Sequence, residues 1–269
     1  MGGSVYLEEK RGAFVNDIGR LGEFTLEEYR VILRTLRKHY KACRFPEAEE
    51  NLKRDVPFVL LRHDIDMDLP GALELAQIEA DVGFLATYFV LLRTEHYSIF
   101  SDLGRSIIFE ILSLGHAIGL HFDCACYPDR TPSELREDFV RERTILETWL
   151  GRSVEVVSHH RPSKAVLEGT VGLGNDICDT YQPIYTQKIT YLSDSRGCWR
   201  FGHPLRSEAF RRNDPLHILT HPVWWNTTPT QARDSLNMWL DRTMKALQNS
   251  LQKNCEVYRD TALTLDSGR

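Results

Sequence analysis

The strongest constraint in this chain is a repeated pattern. Four apolar runs end in acid or imidazole: Val56 to Asp66 on Asp64 and Asp66, Ala117 to Asp123 on His121 and Asp123, Val154 to His160 on His160 with Arg161 behind it, and Leu216 to His221 on His221. Val59, Leu60 and Leu61 have the continuous apolar character of a strand buried on both faces, as in parallel sheets. Thr87 to Leu91 and Tyr191 to Ser193 add two more strands. Helices are predicted between them. One starts at Pro70 and Gly71, a second runs from Ser106 to Leu114 and stops at Gly115, and a third runs from Thr131 and Pro132 to Leu150. Thr25, with Glu28 three residues on, predicts an earlier helix start. Strands alternating with helices predict a parallel α/β architecture, and in parallel barrels the C-terminal rim of the strands carries the active site. The four polar closures therefore predict one shared mouth.

Side-chain alternation sharpens this. On a continued strand Arg62, Asp64 and Asp66 fall on one face, with His63 and Ile65 on the other. Gly119, His121 and Asp123 share a face, as do Ser158 and His160, and Leu219 and His221. Two carboxylates from one strand end, with His and Asp from another, form a candidate divalent-metal site suited to Zn²⁺, Fe²⁺, Co²⁺ or Ni²⁺. The competing reading of Asp64 and Asp66 is a helix cap or an ion pair with Arg62. His116 and His159 are read as structural.

Composition narrows the class. With 42% apolar and 26% charged residues the chain is an ordinary globular one. A net charge of −5 without a basic block disfavours nucleic acid and anionic membranes as partners. The longest apolar stretches are far short of the roughly 18 residues needed to span a bilayer. Met1 to Arg11 has no apolar segment of the export type, so a cytoplasmic protein with six reduced cysteines is expected. No internal repeat, low-complexity tract or long linker breaks the 269 residues. One domain is predicted: an N-terminal helical extension over 1–54, a core over 55–225, and an amphipathic helix and tail over 226–269. Leu236, Leu240, Met244, Leu247 and Leu251 form the apolar stripe of that last helix. Asp64, Asp66 and Asp68 start like a calcium loop, but Leu69 and Leu75 occupy the positions that need Gly and Glu. Phosphate-loop and nucleophile-elbow motifs are absent from the sequence, and Gly-Leu-Gly at 172–174 has no strand directly before it.

Six segments, in order, resemble the polysaccharide deacetylase superfamily (carbohydrate esterase family 4, the nodulation-deacetylase homology group). They are Leu61-Arg62-His63-Asp64-Ile65-Asp66, Ala86-Thr87-Tyr88-Phe89-Val90, Gly115 to Asp123, His160-Arg161-Pro162, Tyr191 to Ser195 with Trp199, and Leu219-Thr220-His221-Pro222. They span about residues 55 to 225 and look most like the deacetylase-like proteins of bacterial O-antigen and surface-polysaccharide biosynthesis. The resemblance implies a distorted (β/α)7 barrel and a metal-dependent hydrolase that removes an N-acetyl group from a sugar precursor, free or nucleotide- or lipid-linked. The ion implied is divalent, with zinc first among zinc, nickel, cobalt and iron. It implies Asp64 as base, His221 as proton donor and Arg161 as the arginine that orients the base.

The sequence departs from the family pattern in two places. Ile65 stands where the family has a metal-binding aspartate, and Ala125 where it has the second histidine of its ligand motif. Asp66 and His121 then remain as ligands, with Asp123 the first candidate for the missing one and His160 the second. Asp194 is expected to orient His221 or Arg161, or to meet substrate, and Trp199, Trp224 and Trp225 to stack on sugar or wall an acetyl pocket. The rival expectations are a carbohydrate-binding relative without chemistry and a hydrolase acting on another amide C–N bond.

Overall fold

The computed structural model describes residues 22–174 and 176–263. In chain order its elements are α1 (Leu26–His39), β1 (Lys41–Ala42), α2 (Ala48–Lys53), β2 (Phe58–Ile65), α3 (Leu69–Val82), β3 (Thr87–Val90), α4 (Asp102–Ser113), β4 (Ala117–Asp123), α5 (Pro132–Leu150), β5 (Val156–His160), α6 (Lys164–Leu167), β6 (Cys178–Asp179), β7 (Thr190–Ser193), α7 (Glu208–Arg212), β8 (Leu216–Thr220), α8 (Ala232–Asn254) and α9 (Glu256–Leu263). Their starts follow local chemistry. Thr25 caps α1 by accepting the Glu28 N–H, Asp68 caps α3 through the Gly71 N–H, and Thr131 with Glu134 closes a capping box on α5. The helix predicted from Ser106 starts earlier, because Ser101 supplies the cap.

All strand pairings are parallel, in the order β6-β5-β4-β3-β2-β8-β7, with β1 beside the start of β2. A flat sheet would hold β2 and β6, four strands apart, about 19 Å from each other. Instead the Arg62 guanidinium of β2 donates to the hydroxyl of Thr180, just past β6, at 3.1 Å. The sheet therefore curls into a distorted (β/α)7 barrel with β6 and β7 as its two edges.

The curl separates two cores. Inside lie Phe58, Leu60, Phe89 and Val156, plugged from below by Phe45, Tyr185 and Ile189. Outside, Val59, Leu61 and Ile65 pack under α1, α3 and α4. β2 thus alternates along its length, although every residue in it is buried. Gly119 makes the interior possible: a Cβ there would stand 2.5 Å from the Phe89 ring and 2.9 Å from the Val156 carbonyl oxygen.

In the outer layer Glu79 of α3 is fully buried. Its carboxylate meets His63 Nε2 at 2.5 Å and the hydroxyls of Tyr29 and, at 2.7 Å, Tyr88. Thr220 of β8 reaches the other nitrogen of His63 at 2.6 Å. His116 spans the same layer, accepting the Ala86 N–H at 3.2 Å and donating to the Ala76 carbonyl at 3.0 Å, which is the structural role expected of it. His159 is likewise occupied outside the barrel, 3.1 Å from Asp179. Burial pushes the Glu79 carboxyl up, but His63, His116 and the Tyr29 hydroxyl outweigh it and hold the group below its ordinary value. Burial pushes His116 down.

Glu79→Gln is expected to lower the unfolding free energy by about 3 kcal/mol, since it removes one partner of a buried charged cluster. Both shifts are downward, so both stabilise at higher pH and are lost on acidification, His116 as pH falls below about 6.5 and Glu79 as it falls through its depressed pKa. Glu79 is what holds His116 up against burial, so urea titrations between about pH 7 and pH 5 should show a steeper loss in Glu79→Gln than in the parent.

Candidate metal centre and acid–base site

The rim at the C-terminal ends of β2, β4, β5 and β8 gathers the polar closures. Asp64 is the last inward residue of β2 and is buried. Both of its oxygens accept from Arg62 two residues below: Nε to Oδ1 at 2.8 Å and one terminal nitrogen to Oδ2 at 2.6 Å. The guanidinium lies 5.4 Å over the Phe89 ring, whose face favours a cation. Burial pushes Asp64 up, yet Arg62 overrides it and holds the carboxyl at about 2.

Asp66, one step beyond β2, is the centre of the group. Its Oδ1 stands 3.2 Å from His121 Nε2 and 3.2 Å from His160 Nδ1. Among the described residues Asp66, His121 and His160 place one donor atom each within 4.8 Å of one another. Burial acts to raise Asp66, but the bonds to His121 and His160 hold it well below the usual carboxylate range. Burial likewise lowers His160, and Asp66 more than compensates. The backbone carrying Asp66 is clamped from the loop after β3. The Tyr97 hydroxyl donates to the Ile65 carbonyl at 2.7 Å, and His96 Nδ1 lies 3.0 Å from the Asp66 carbonyl.

The donor set fits a divalent ion on its tautomers as well as its distances. The Ser158 hydroxyl donates its one proton to Asp64 Oδ1 at 3.3 Å. His121 Nδ1, 2.6 Å from Ser158 Oγ, is then the donor of that bond. Nε2, which faces Asp66 and His160, is then the nitrogen that would bind an ion, the arrangement a metal-binding imidazole needs. Two imidazoles and a carboxylate with room for further ligands are a zinc-type donor set.

His221 closes the rim from beyond β8. Its Nδ1 lies 2.6 Å from Asp194 Oδ1, and its backbone N–H reaches both Asp194 oxygens at 3.1 and 3.0 Å. Trp225 Nε1 donates to Asp194 Oδ2 at 3.0 Å. Nε2 of His221 faces Asp66, 3.9 Å from Oδ2. Burial depresses His221, but Asp194 outweighs it and raises the imidazole to about 9.

Several expected residues sit elsewhere. Asp123 is two residues above His121, a rise of about 6.6 Å along β4. There it caps the turn through the Ala125 N–H at 3.1 Å and takes the Arg161 guanidinium on both oxygens. It stands outside the three-donor group, and His160, the second candidate, stands within it. Arg161, expected on Asp64, is turned away by its left-handed φ of 46°. The residue that orients Asp64 is Arg62, the ion pair weighed as the competing reading. The capping role suggested for Asp64 or Asp66 belongs to Asp68. Asp194, expected to orient His221 or Arg161 or to meet substrate, orients His221, and Trp225, expected at the substrate, is buried beneath it and bonded to Asp194. Trp199 packs on Phe24, His203 and Trp225. Ser158, His96 and Tyr97 carried no sequence signal beyond, for Ser158, sharing a face with His160.

No family model matches the chain, and no curated protein matches it. Solved structures do. A deacetylase of Streptococcus pyogenes in complex with acetate is 13% identical over 78% of this chain and 85% of its own, with a TM-score of 0.47. A Bacillus anthracis protein described as a CE4 family pseudoenzyme is 12% identical over 71% of this chain, with a TM-score of 0.42, and a mutant of it with restored enzymatic activity is 13% identical with a TM-score of 0.43. The chain spans 61% and 63% of the length of those two. At such identities a likeness concerns the course of the backbone alone.

Ser158→Ala removes the acceptor that sets the His121 tautomer. Zinc affinity, measured by competition with a chromogenic chelator, is expected to fall about 10- to 100-fold with the fold intact. An unchanged affinity would show that the tautomer is set by something else.

Proposed function

We propose that this chain is a metal-dependent hydrolase that removes an N-acetyl group from a sugar precursor, within bacterial surface-polysaccharide (O-antigen) biosynthesis and on a free, nucleotide-linked or lipid-linked substrate met in the cytoplasm. One observation carries the reading: a two-histidine, one-carboxylate donor group lies between a carboxylate fixed by Arg62 and an imidazole fixed by Asp194. Asp66, His121 and His160 would hold the ion, with zinc the first choice for this donor set. When bound, the metal polarises the acetyl carbonyl and lowers the pKa of a coordinated water toward about 7.

The residues of the chain supply the rest. Asp64, kept ionised by Arg62, accepts the proton of the attacking water. Water adds to the carbonyl carbon, the C–N bond breaks, and acetate and the free amine leave. His221 keeps its Nδ1–H on Asp194 and is charged at neutral pH, so its Nε2–H is the proton for the departing nitrogen. Asp194 holds that ring in place through four contacts, three to His221 and one to Trp225. A carbohydrate-binding barrel without chemistry would fit Ala125, which replaces a family ligand. It leaves the separate buttressing of Asp64 and His221 without a purpose.

Purified protein should contain about one equivalent of divalent ion by elemental analysis, and chelation should abolish release of acetate from N-acetylated sugars until zinc, cobalt or nickel is returned. Asp64→Asn is expected to keep the ion and lose about 10²- to 10⁴-fold in kcat. His121→Ala should lose the ion itself. Sugar binding with unchanged N-acetyl content over hours in the metal-loaded protein would favour the binding reading instead.

A further inference from the structure

The helix α8 is long, and its second half stands exposed. It docks through its first half: Ser235 accepts from Asn226 at 2.9 Å, Trp239 packs edge-on against His96 at 5.3 Å, and Arg242 reaches Asp68 at 2.8 Å. From residue 244 to 254 every side chain is exposed. Beneath this stretch runs a groove of about 780 Å³, bounded by Leu69, Tyr97, Leu103, Trp239 and Ala246, so the helix leaves the body as an arm. An isolated helix of fewer than about 12–15 residues is marginal in water, so an arm of this length needs a surface to lie on.

Its pattern states which surface. Leu240, Met244, Leu247 and Leu251 follow one another at spacings of four, three and four, the a/d repeat of a coiled-coil seam. At 100° per residue this seam lies roughly a quarter-turn round the helix from Trp239, to one side of the groove-facing stripe, and of the four Leu247 also lines the groove. The four are 53%, 58%, 58% and 43% exposed.

We infer that α8 is a homotypic interface: the occupant of the seam is the same seam on a second copy of this chain. Two features select an identical partner. The seven-residue period is self-complementary, since a and d residues of one helix fill the holes left by the other. The flanking positions are Asp241, Thr243, Gln248 and Ser250, so two identical seams meet with a single acid on each and no opposed rows of like charge. The area is adequate. The four side chains expose on the order of 400 Å² per copy, about the largest apolar patch an ordinary monomer leaves uncovered, and with the flanks the pair approaches the roughly 800 Å² per partner of a stable dimer. The metal centre lies on the barrel rim, so pairing leaves its residues untouched.

Sedimentation velocity and light scattering on the full chain at tens of micromolar should give about 62 kDa, twice the 31.1 kDa of one copy. The double variant Met244→Glu with Leu247→Glu should sediment as a monomer with an unchanged far-ultraviolet circular dichroism spectrum, because both positions are outside the core. Leu167→Glu, at an apolar residue 64% exposed elsewhere, should stay dimeric. A parent protein that is monomeric at these concentrations overturns the inference whatever else covers the seam. A double variant that remains dimeric, or a Leu167→Glu variant that dissociates as well, overturns it too.

Discussion

The site and the barrel around it depend on one buried ion pair. Arg62 and Asp64 are neighbours on the same face of β2, and both are almost fully withdrawn from water. Such a pair is costly to bury and is sustained only when every hydrogen-bonding group is used. Here the guanidinium gives two bonds to Asp64 and one to Thr180, and covers the Phe89 ring. Those contacts tie the central strand to a sheet edge four strands away and fill the barrel with a cation at half height. They also fix the charge state of the carboxylate above it.

The same strand serves a second polar layer on its other side. His63 points away from the metal centre into the cluster around Glu79, and Thr220 of β8 joins it there. Asp64 and His221 are the next residues along these two strands. The outer cluster therefore locks β2 and β8 in register one residue below the groups whose separation matters for proton transfer. A local defect in that outer layer would be read at the rim as misalignment.

Period-two alternation made much of this legible from the residues alone. It grouped Arg62, Asp64 and Asp66, separated His63 and Ile65, and allowed Asp66 to stand in for a ligand that Ile65 cannot supply. Gly115, Thr131 and Gly151 punctuate helices as their chemistry requires. What alternation cannot supply is height above the rim and the hand of a single dihedral. Asp123 shares the face of His121 but sits a full pleat higher, and Arg161 is diverted by one left-handed φ, so the arginine that serves Asp64 comes from its own strand instead of from the end of β5. The stripe on α8 is a different case. Amphipathicity says that a face is to be covered, and never by what.

The strict division of β2 has a consequence for how the chain can diverge. Each inward position from Phe58 to Asp64 builds the cavity and its charge, and each outward one from Val59 to Ile65 builds the packing beneath the helices. Substitutions can therefore be sampled on one side without disturbing the other. Insertion or loss of a single residue would exchange the two sides together, placing Arg62 and Asp64 among leucines and Val59 and Leu61 in the barrel. Among descendants of this sequence the segment should drift in composition and hold its length.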